Sequence, residues 1–464
     1  MLGLALLTLA CSRPSPPPSI LVVVLDTVRA DALGAYGNPR PLSPQFDAVA
    51  QAGVLFTDAT APSAWTWPSH ASLFTGEPPW VNGAHSAWPG EGMSLAKGWL
   101  QVTPMREDLP TLAGRLSEVG YATHAYVANR LLAPELGITR GFEGVAFTDS
   151  DEQVTRGALA RLAGDEARPQ LLFVNYLGAH SPYAVTGAAW SRPYAQQLTP
   201  EAAPEWVRPY VTTPPGVSFF EDKEASENGL ERYARGDLVI PPDGLAMLRD
   251  LYEGEVLGVD MQLNALLKAW TARYPDGVVI VTSDHGDLMG EHGLLGHSSY
   301  VYSRLTHVPL VVVAPGRLGA GQRCEVPVQL QDLYGLVLAL AGVEQAPWTL
   351  LDAIGGTPRP EPILAGEWPR QRYAEEVGGR LGEAWRLMRD GAVAVVSGSG
   401  GSLELYDLAA DPFMDHDLAS ERPDQAAALA AEAARLIPLG TGGQGIELSA
   451  EQAEALRALG YVDP

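Results

Sequence analysis

Three short apolar runs constrain the fold of this chain more than any other feature. Residues 20–25 (ILVVVL), 171–176 (LLFVNY) and 278–282 (VVIVT) show almost no alternation of polar and apolar side chains. A strand wetted on one face alternates with period two. A β-branched run without alternation fits a strand covered on both faces, as in a parallel sheet. A fourth run, 308–314, closes on the turn signal Pro315-Gly316. Helical patterns over 109–119, 244–270 and 330–341 lie between or after these runs. Strands alternating with helices predict an α/β domain with a doubly wound, mostly parallel sheet. Ligands of such sheets bind beyond the carboxyl ends of the strands. Asp26 stands directly after the first run, His180 a few residues after the second, and Asp284 and His285 after the third.

The rest of the chain divides around this domain. Residues 185–243 are polar, rich in Pro, Gly and charge, and read as an insertion or a lid. Beyond about residue 345 the pattern changes. Apolar stretches at 385–388 and 392–396 flank Arg389-Asp390-Gly391, a hairpin signal. Residues 403–408 add a third strand, and the alanine-rich segment 426–436 is predicted helical. The expectation is an α/β domain over 19–370 and a smaller C-terminal α+β domain with an antiparallel sheet over 371–464. Residues 1–10 are apolar, too short to cross a bilayer but long enough for the apolar part of an export signal. Ala10-Cys11 resembles a bacterial lipoprotein cleavage site. Residues 1–18 are therefore read as an export signal and tether, with Cys11 lipidated and the protein in the bacterial cell envelope or periplasm. Pro14, Pro16, Pro17 and Pro18 suit a stiff, extended tether. Only Cys11 and Cys324 are present, which excludes a disulfide framework.

Charge narrows the choice of partner. Asp and Glu number 55 against 31 Lys and Arg, a net charge of −24. Nucleic acid and anionic membrane surfaces call for clustered Lys and Arg, so neither is expected as a partner. An anionic substrate would need a local positive charge, and a bound metal is its obvious source.

The segment 65–76 (WTWPSHASLFTG) is the densest in chemistry. Pro68 suits the first turn of a helix and Gly76 its end. Thr66 is then expected just before the helix N-terminus, where free N–H groups favour an anion. His70, four residues on, shares its face. From spacing alone the same Thr reads more readily as an ordinary N-cap before a buried helix than as a catalytic group.

Taken together, these segments resemble the sulfatases of the alkaline phosphatase superfamily. The resemblance runs through Asp26-Thr27-Val28-Arg29-Ala30-Asp31 with Gly34-Ala35-Tyr36-Gly37, and through Thr66 to Gly76. It continues in Ala179-His180-Ser181-Pro182-Tyr183 and in Thr282-Ser283-Asp284-His285-Gly286 with Gly290-Glu291-His292-Gly293. It ends in Leu403 to Leu408 with Asp411-Pro412. It implies an alkaline phosphatase-like sheet and a metal-dependent hydrolase acting on a small anionic ester. One divalent ion would be held by Asp26, Asp284 and His285 together with Thr66. Calcium is the ion implied by resemblance; the imidazole also admits manganese or zinc. His180 would contact or protonate the substrate, and His297 occupies a position where many sulfatases carry lysine.

Three departures alter the expected chemistry. The family converts a signature Cys or Ser into formylglycine; Thr66 would yield a ketone, so no formylglycine is expected. His70 replaces the signature arginine, and Asn129 stands near the place of a Lys-x-His pair. An unmodified threonine can still attack if a metal lowers its pKa. The resulting expectation is attack by Thr66 on a sulfate ester. His70, Asn129 and His297 would stabilise equatorial charge, and His180 would protonate the leaving oxygen. Hydrolysis of a phosphodiester or phosphonate ester, phospho- or sulfotransfer, and a non-catalytic lipid-anchored binding protein are the alternatives. Arg29 and Asp31 either orient Asp26 or merely pair with each other. His124, His292 and His307 are read as structural, and His85 as a loop residue. Trp65, Trp67, Trp80, Trp88 and Trp99 form either a wall of the site or part of the core. For the anchor, Cys11→Ser should release the protein from the membrane fraction of its host. Unchanged membrane association of that variant would count against lipidation.

Overall fold

The computed structural model describes residues 17–86, 93–95, 100–198, 204, 206–207, 232–343, 346–369 and 378–439. Cys11, Trp88, Trp99 and most of the 185–243 insertion lie outside these residues.

The apolar runs become the strands of a nine-stranded sheet. Its members are β1 (Ile20–Leu25), β2 (Val54–Thr60), β3 (Ala122–Val127), β4 (Gly144–Phe147), β5 (Gln170–Tyr176), β6 (Val278–Thr282), β7 (His307–Val313), β8 (Gln322–Cys324) and β9 (Val328–Gln329). The order is β8-β2-β7-β6-β1-β5-β3-β4, with β9 continuing along β2. β1 lies parallel to both β5 and β6. β7 is antiparallel to both β6 and β2, which makes the sheet mostly parallel.

Successive residues of β1 divide between two cores. Ile20, Val22 and Val24 join one cluster with Trp67 and Leu73 of α2 (Thr66–Thr75), Leu112 and Leu116 of α3 (Leu112–Glu118), and Leu333 and Leu336 of α6 (Asp332–Ala341). Leu21, Val23 and Leu25 join the other. There they meet Phe46 of α1 (Pro44–Ala52), Ala158 of α4 (Asp151–Leu162), and Leu251, Leu263 and Trp270 of α5 (Pro242–Arg273). Every residue of β1 is buried, which is why its run shows no polar alternation.

Helix boundaries shift where local chemistry dictates. α3 begins at Leu112 rather than 109, because Pro110 lacks an N–H and the Thr111 side chain caps Gly114 N. α5 extends from Pro242 to Arg273, with Pro at its start. Tyr36 closes an irregularity between β2 and β7: its hydroxyl donates to Phe56 O (2.7 Å) and accepts from Leu310 N (2.9 Å). The register of β7 slips there, at Pro309.

A second sheet, antiparallel and four-stranded, contains β10 (Ile363–Glu367), β11 (Trp385–Asp390), β12 (Val393–Gly398) and β13 (Leu403–Asp407). The Asp390-Gly391 hairpin joins β11 to β12, with Gly391 at φ +60°. Its first strand, β10, precedes the boundary drawn at 370/371. One face carries α7 (Pro423–Leu436) over Met388, Val395 and Leu405. The other packs Trp385, Leu387 and Tyr406 against Ala64, Tyr300 and Leu305. Arg389 of β11 forms a two-pronged pair with Asp58 of β2, both contacts 2.6 Å.

Gly76 ends α2 in the left-handed region at φ +76°, and a Cβ there would lie 2.9 Å from the Tyr334 ring. Gly76→Ala should therefore lower stability by about 1–2 kcal/mol or more, since left-handed backbone disfavours a side chain. Urea unfolding measures it, and an unchanged midpoint would refute the constraint.

Candidate active site

The carboxyl ends of β1, β5 and β6 meet the start of α2, and the side chains singled out from the sequence meet there. Asp26 follows β1, Asp284 and His285 follow β6, and Asn129 follows β3. One ligand atom from each of Asp26, Asp284 and His285 falls within 4.8 Å of the others, and all three side chains are buried.

Thr66 is the first residue of α2 rather than its cap. Trp65 takes the N-cap position, with no side-chain cap bond. The Thr66 hydroxyl turns toward Asp26 Oδ2 at 3.5 Å. Asn129 Nδ2 donates both to that oxygen (2.8 Å) and to Thr66 Oγ1 (3.0 Å). The N-cap reading of Thr66 is thereby corrected. The backbone places a tryptophan at the cap and leaves the threonine oxygen facing the strand ends.

His70 sits one turn into α2, fully buried. Its Nδ1 bonds Thr66 O (3.0 Å) and lies 3.5 Å from Asp284 Oδ2. A carbonyl can only accept, so Nδ1 carries the proton. The ring edge packs on Phe173. His180 and His297 stand together, rings edge to face at 4.8 Å, and His297 lies 4.5 Å from the His285 ring. His180 Nδ1 bonds Ser181 O at 2.6 Å. His297 Nδ1 bonds the buried carboxylate of Asp287 at 3.1 Å.

The donor set fits a divalent cation. His285 Nδ1 bonds Gly286 O (2.9 Å), so Nε2 presents its lone pair to the two carboxylates. That Nε2 and Asp284 Oδ2 are buried without a hydrogen-bond partner. Such orphaned acceptors are costly unless a cation completes them. Burial drives the His285 imidazole below its ordinary range, which favours the neutral, ligating form. Burial and the neighbouring Asp26 charge push the Asp284 carboxyl up to about 7. Two carboxylates converging in a dry pocket with one imidazole form the oxygen-rich set of a hard or borderline ion.

Asn175 and Asp287 escaped the sequence reading, and Thr27 was read there only as part of a motif. Thr27 adopts φ +65°; its N–H donates to Asp284 Oδ1 (3.2 Å) and its hydroxyl to Asp26 Oδ1 (2.9 Å). Asn175 Nδ2 donates to Asp26 Oδ2 at 3.3 Å. Its signal was available: an amide inside the apolar run 171–176. Asp287 also accepts from Tyr183 OH (2.7 Å). Arg29, almost fully buried, grips both carboxylate oxygens of Asp31 and also donates to Glu291 Oε1 (2.8 Å) and Asp287 O (2.9 Å). It therefore pairs with Asp31 and also ties the turn after β1 to the segment after β6. Gly286 lies against that segment's neighbour; a Cβ would sit 2.1 Å from Arg304 O.

Other candidates lie elsewhere. His292 stacks on Tyr302 at 3.7 Å, His307 Nε2 bonds Thr57 O, and His124 is a residue of β3. His85 stacks flat on Trp368 at 4.1 Å, and burial pushes its imidazole down to about 4. Trp65 and Trp67 are core residues, with Trp67 Nε1 donating to Thr103 O.

Comparison with known proteins follows the same lines. The model of a family described as Sulfatase matches residues 18–343. The chain is 24% identical over 452 residues to the Δ4,5-hexuronate-2-O-sulfatase of Bacteroides thetaiotaomicron, covering 90% of this chain and 88% of that protein. It is 23% identical over 450 residues to arylsulfatase K of Gallus gallus, covering 87% and 80%. The crystal structure of a phosphonate monoester hydrolase of Agrobacterium radiobacter superposes with TM-score 0.64 at 19% identity, covering 96% of each chain.

Because Asn175 holds Asp26 from behind, Asn175→Ala should weaken divalent-ion binding about 10–100-fold, the usual cost of losing a group that orients a ligand. Calorimetric titration of the metal-stripped protein with calcium and with manganese reads this. Equal affinity in the two proteins would remove Asn175 from the site.

Proposed function

The chain belongs to the sulfatase family, and on that footing we propose that it hydrolyses sulfate esters with unmodified Thr66 as the nucleophile. One observation carries this reading. The Thr66 hydroxyl caps nothing and lies between the Asn129 amide and the Asp26 carboxylate, at the buried cluster of Asp26, Asp284 and His285.

Asp26, Asp284 and His285 would hold the divalent ion, with Thr66 beside them. When bound, the ion supplies Lewis acidity, which lowers the hydroxyl pKa and offsets the charge of an anionic ester. The rest follows from the chain's own groups. The Thr66 hydroxyl gives up its proton to solvent, and Oγ1 bonds to sulfur. The ester S–O bond breaks, and its electron pair leaves on the alcohol oxygen. That oxygen takes a proton from His180 or His297, the two imidazoles that meet edge to face. A water then gives a proton to the same imidazole and attacks sulfur. Oγ1 departs and recovers a proton from solvent. The net reaction consumes one water and yields an alcohol and hydrogen sulfate. Asn129 Nδ2 steadies Oγ1 throughout, and the His70 Nδ1–H on Thr66 O holds the first turn of α2.

A second reading, hydrolysis of a phosphonate or phosphate diester, is favoured by Thr66 itself. A threonine cannot supply formylglycine, and no such aldehyde is needed for attack on phosphorus.

A single panel tests both. Metal-stripped protein is reloaded with calcium, manganese, magnesium or zinc, then offered 4-nitrophenyl sulfate, bis(4-nitrophenyl) phosphate and a phenylphosphonate monoester. Turnover should vanish on chelation and return with one ion. Thr66→Ala should lose on the order of 10³-fold or more in kcat, as nucleophile removal does. Intact mass should show threonine unmodified. Higher kcat/KM on a phosphorus ester would select the second reading. Turnover unaffected by Thr66→Ala would overturn the nucleophile assignment.

A further inference from the structure

The C-terminal sheet reaches the nucleophile turn through one buried side chain. Glu367 ends β10 and is fully buried. Its Oε2 accepts from Ser63 Oγ at 2.6 Å and from Ala64 N at 3.1 Å. The preceding Gly366 N donates to Pro62 O at 2.9 Å. Residues 61–65 are the whole connection between β2 and α2, and Thr66 follows them directly.

This connection is held from several sides. Ala61 N donates to Thr306 O (2.7 Å), and Ser298 N donates to Ala64 O (3.0 Å). Ser298 follows His297. One turn therefore links the nucleophile to the His297 loop, and Glu367 grips it from outside the α/β domain. α2 is buried along its full length, so its position follows from how its entry turn is pinned.

A buried carboxylate is a poor choice for stability alone. Its desolvation is costly, and an apolar residue of similar size often serves better. Its advantage is directional: one oxygen receives two donors and fixes the backbone between them.

We propose that Glu367 is a positioning residue for Thr66, so that the C-terminal sheet sets the geometry of the site. The inference rests on the nucleophile reading above. Glu367 is not assigned a contact with substrate, so its loss should appear in kcat and leave KM unchanged.

The test uses the full chain with its metal and the substrate and ion that give highest turnover. Glu367→Ala should lower kcat about 30–100-fold, the scale of a misplacement near 1 Å, with KM held within about threefold. Glu367→Gln keeps an acceptor oxygen for both donors and should recover most of that loss. Ser63→Ala removes one of the two ties and should lower kcat about fivefold. A folded Glu367→Ala protein with kcat within about threefold of wild type overturns the proposal. So does a change confined to KM, or a Gln variant as impaired as the Ala variant. If Glu367→Ala does not fold, Ser63→Ala decides, and wild-type kcat there overturns it. Thr66→Ala separates the two claims. Its full loss beside a normal Glu367→Ala sinks only the positioning role; its retained turnover sinks both.

Discussion

The carboxylate of Asp26 is the group on which the site depends. It follows a strand buried at every residue, is itself fully buried, and accepts from Thr27 Oγ1, Asn129 Nδ2 and Asn175 Nδ2. Each donor comes from a different part of the chain. A buried carboxylate demands such partners, because an unpaired charge in a dry interior is prohibitively costly. That demand draws the ends of β1, β3 and β5 into one arrangement and leaves a single direction open, toward Asp284, His285 and Thr66. Arg29 fulfils a matching demand behind it. Its guanidinium binds Asp31 and Glu291 and so fixes the segments after β1 and β6 relative to each other.

The fold was legible in the chain to the extent that burial leaves a mark on composition. The runs at 20–25, 171–176 and 278–282 became β1, β5 and β6, and the candidate metal ligands lie where polar residues follow two of them. The direction of β7 was not legible, because an apolar run reads the same either way. Its reversal follows from the segment after β6, which returns through a small hairpin of 288–289 with 295–296 instead of a crossover helix. β10 was missed for a different reason. ILAGE carries Ala, Gly and Glu, weak strand formers, and only pairing with β11 makes it a strand.

Within the site, residue types that announce chemistry were found, and residues that act through geometry were not. His285, Asp284, Asp26 and Thr66 converge as their motifs led one to expect. Thr27 matters through a left-handed backbone that sends its N–H to Asp284, a property no composition reveals. Glu367 lies 304 positions from Ser63 in the turn it contacts, and only the folded chain brings them together. The acidic balance of the whole molecule takes on a local meaning here as well. The groups gathered at Thr66 are carboxylates, imidazoles and amides, so attraction for an anionic ester falls to the cation these carboxylates can hold.

The bond from Thr27 N to Asp284 spans 257 positions of chain, and the clasp of Glu367 on Ser63 spans still more. Closures of that length impose an entropy cost before any contact rewards them, and chains rich in them fold slowly. Local helices such as α4 and α7 have no such constraint. The cluster at Asp26 joins the ends of β1 and β6, so no local stretch of chain can form it alone. Either segment by itself carries its carboxylate without the partners that orient it, so the geometry of the site is a property of the closed fold rather than of any of its pieces.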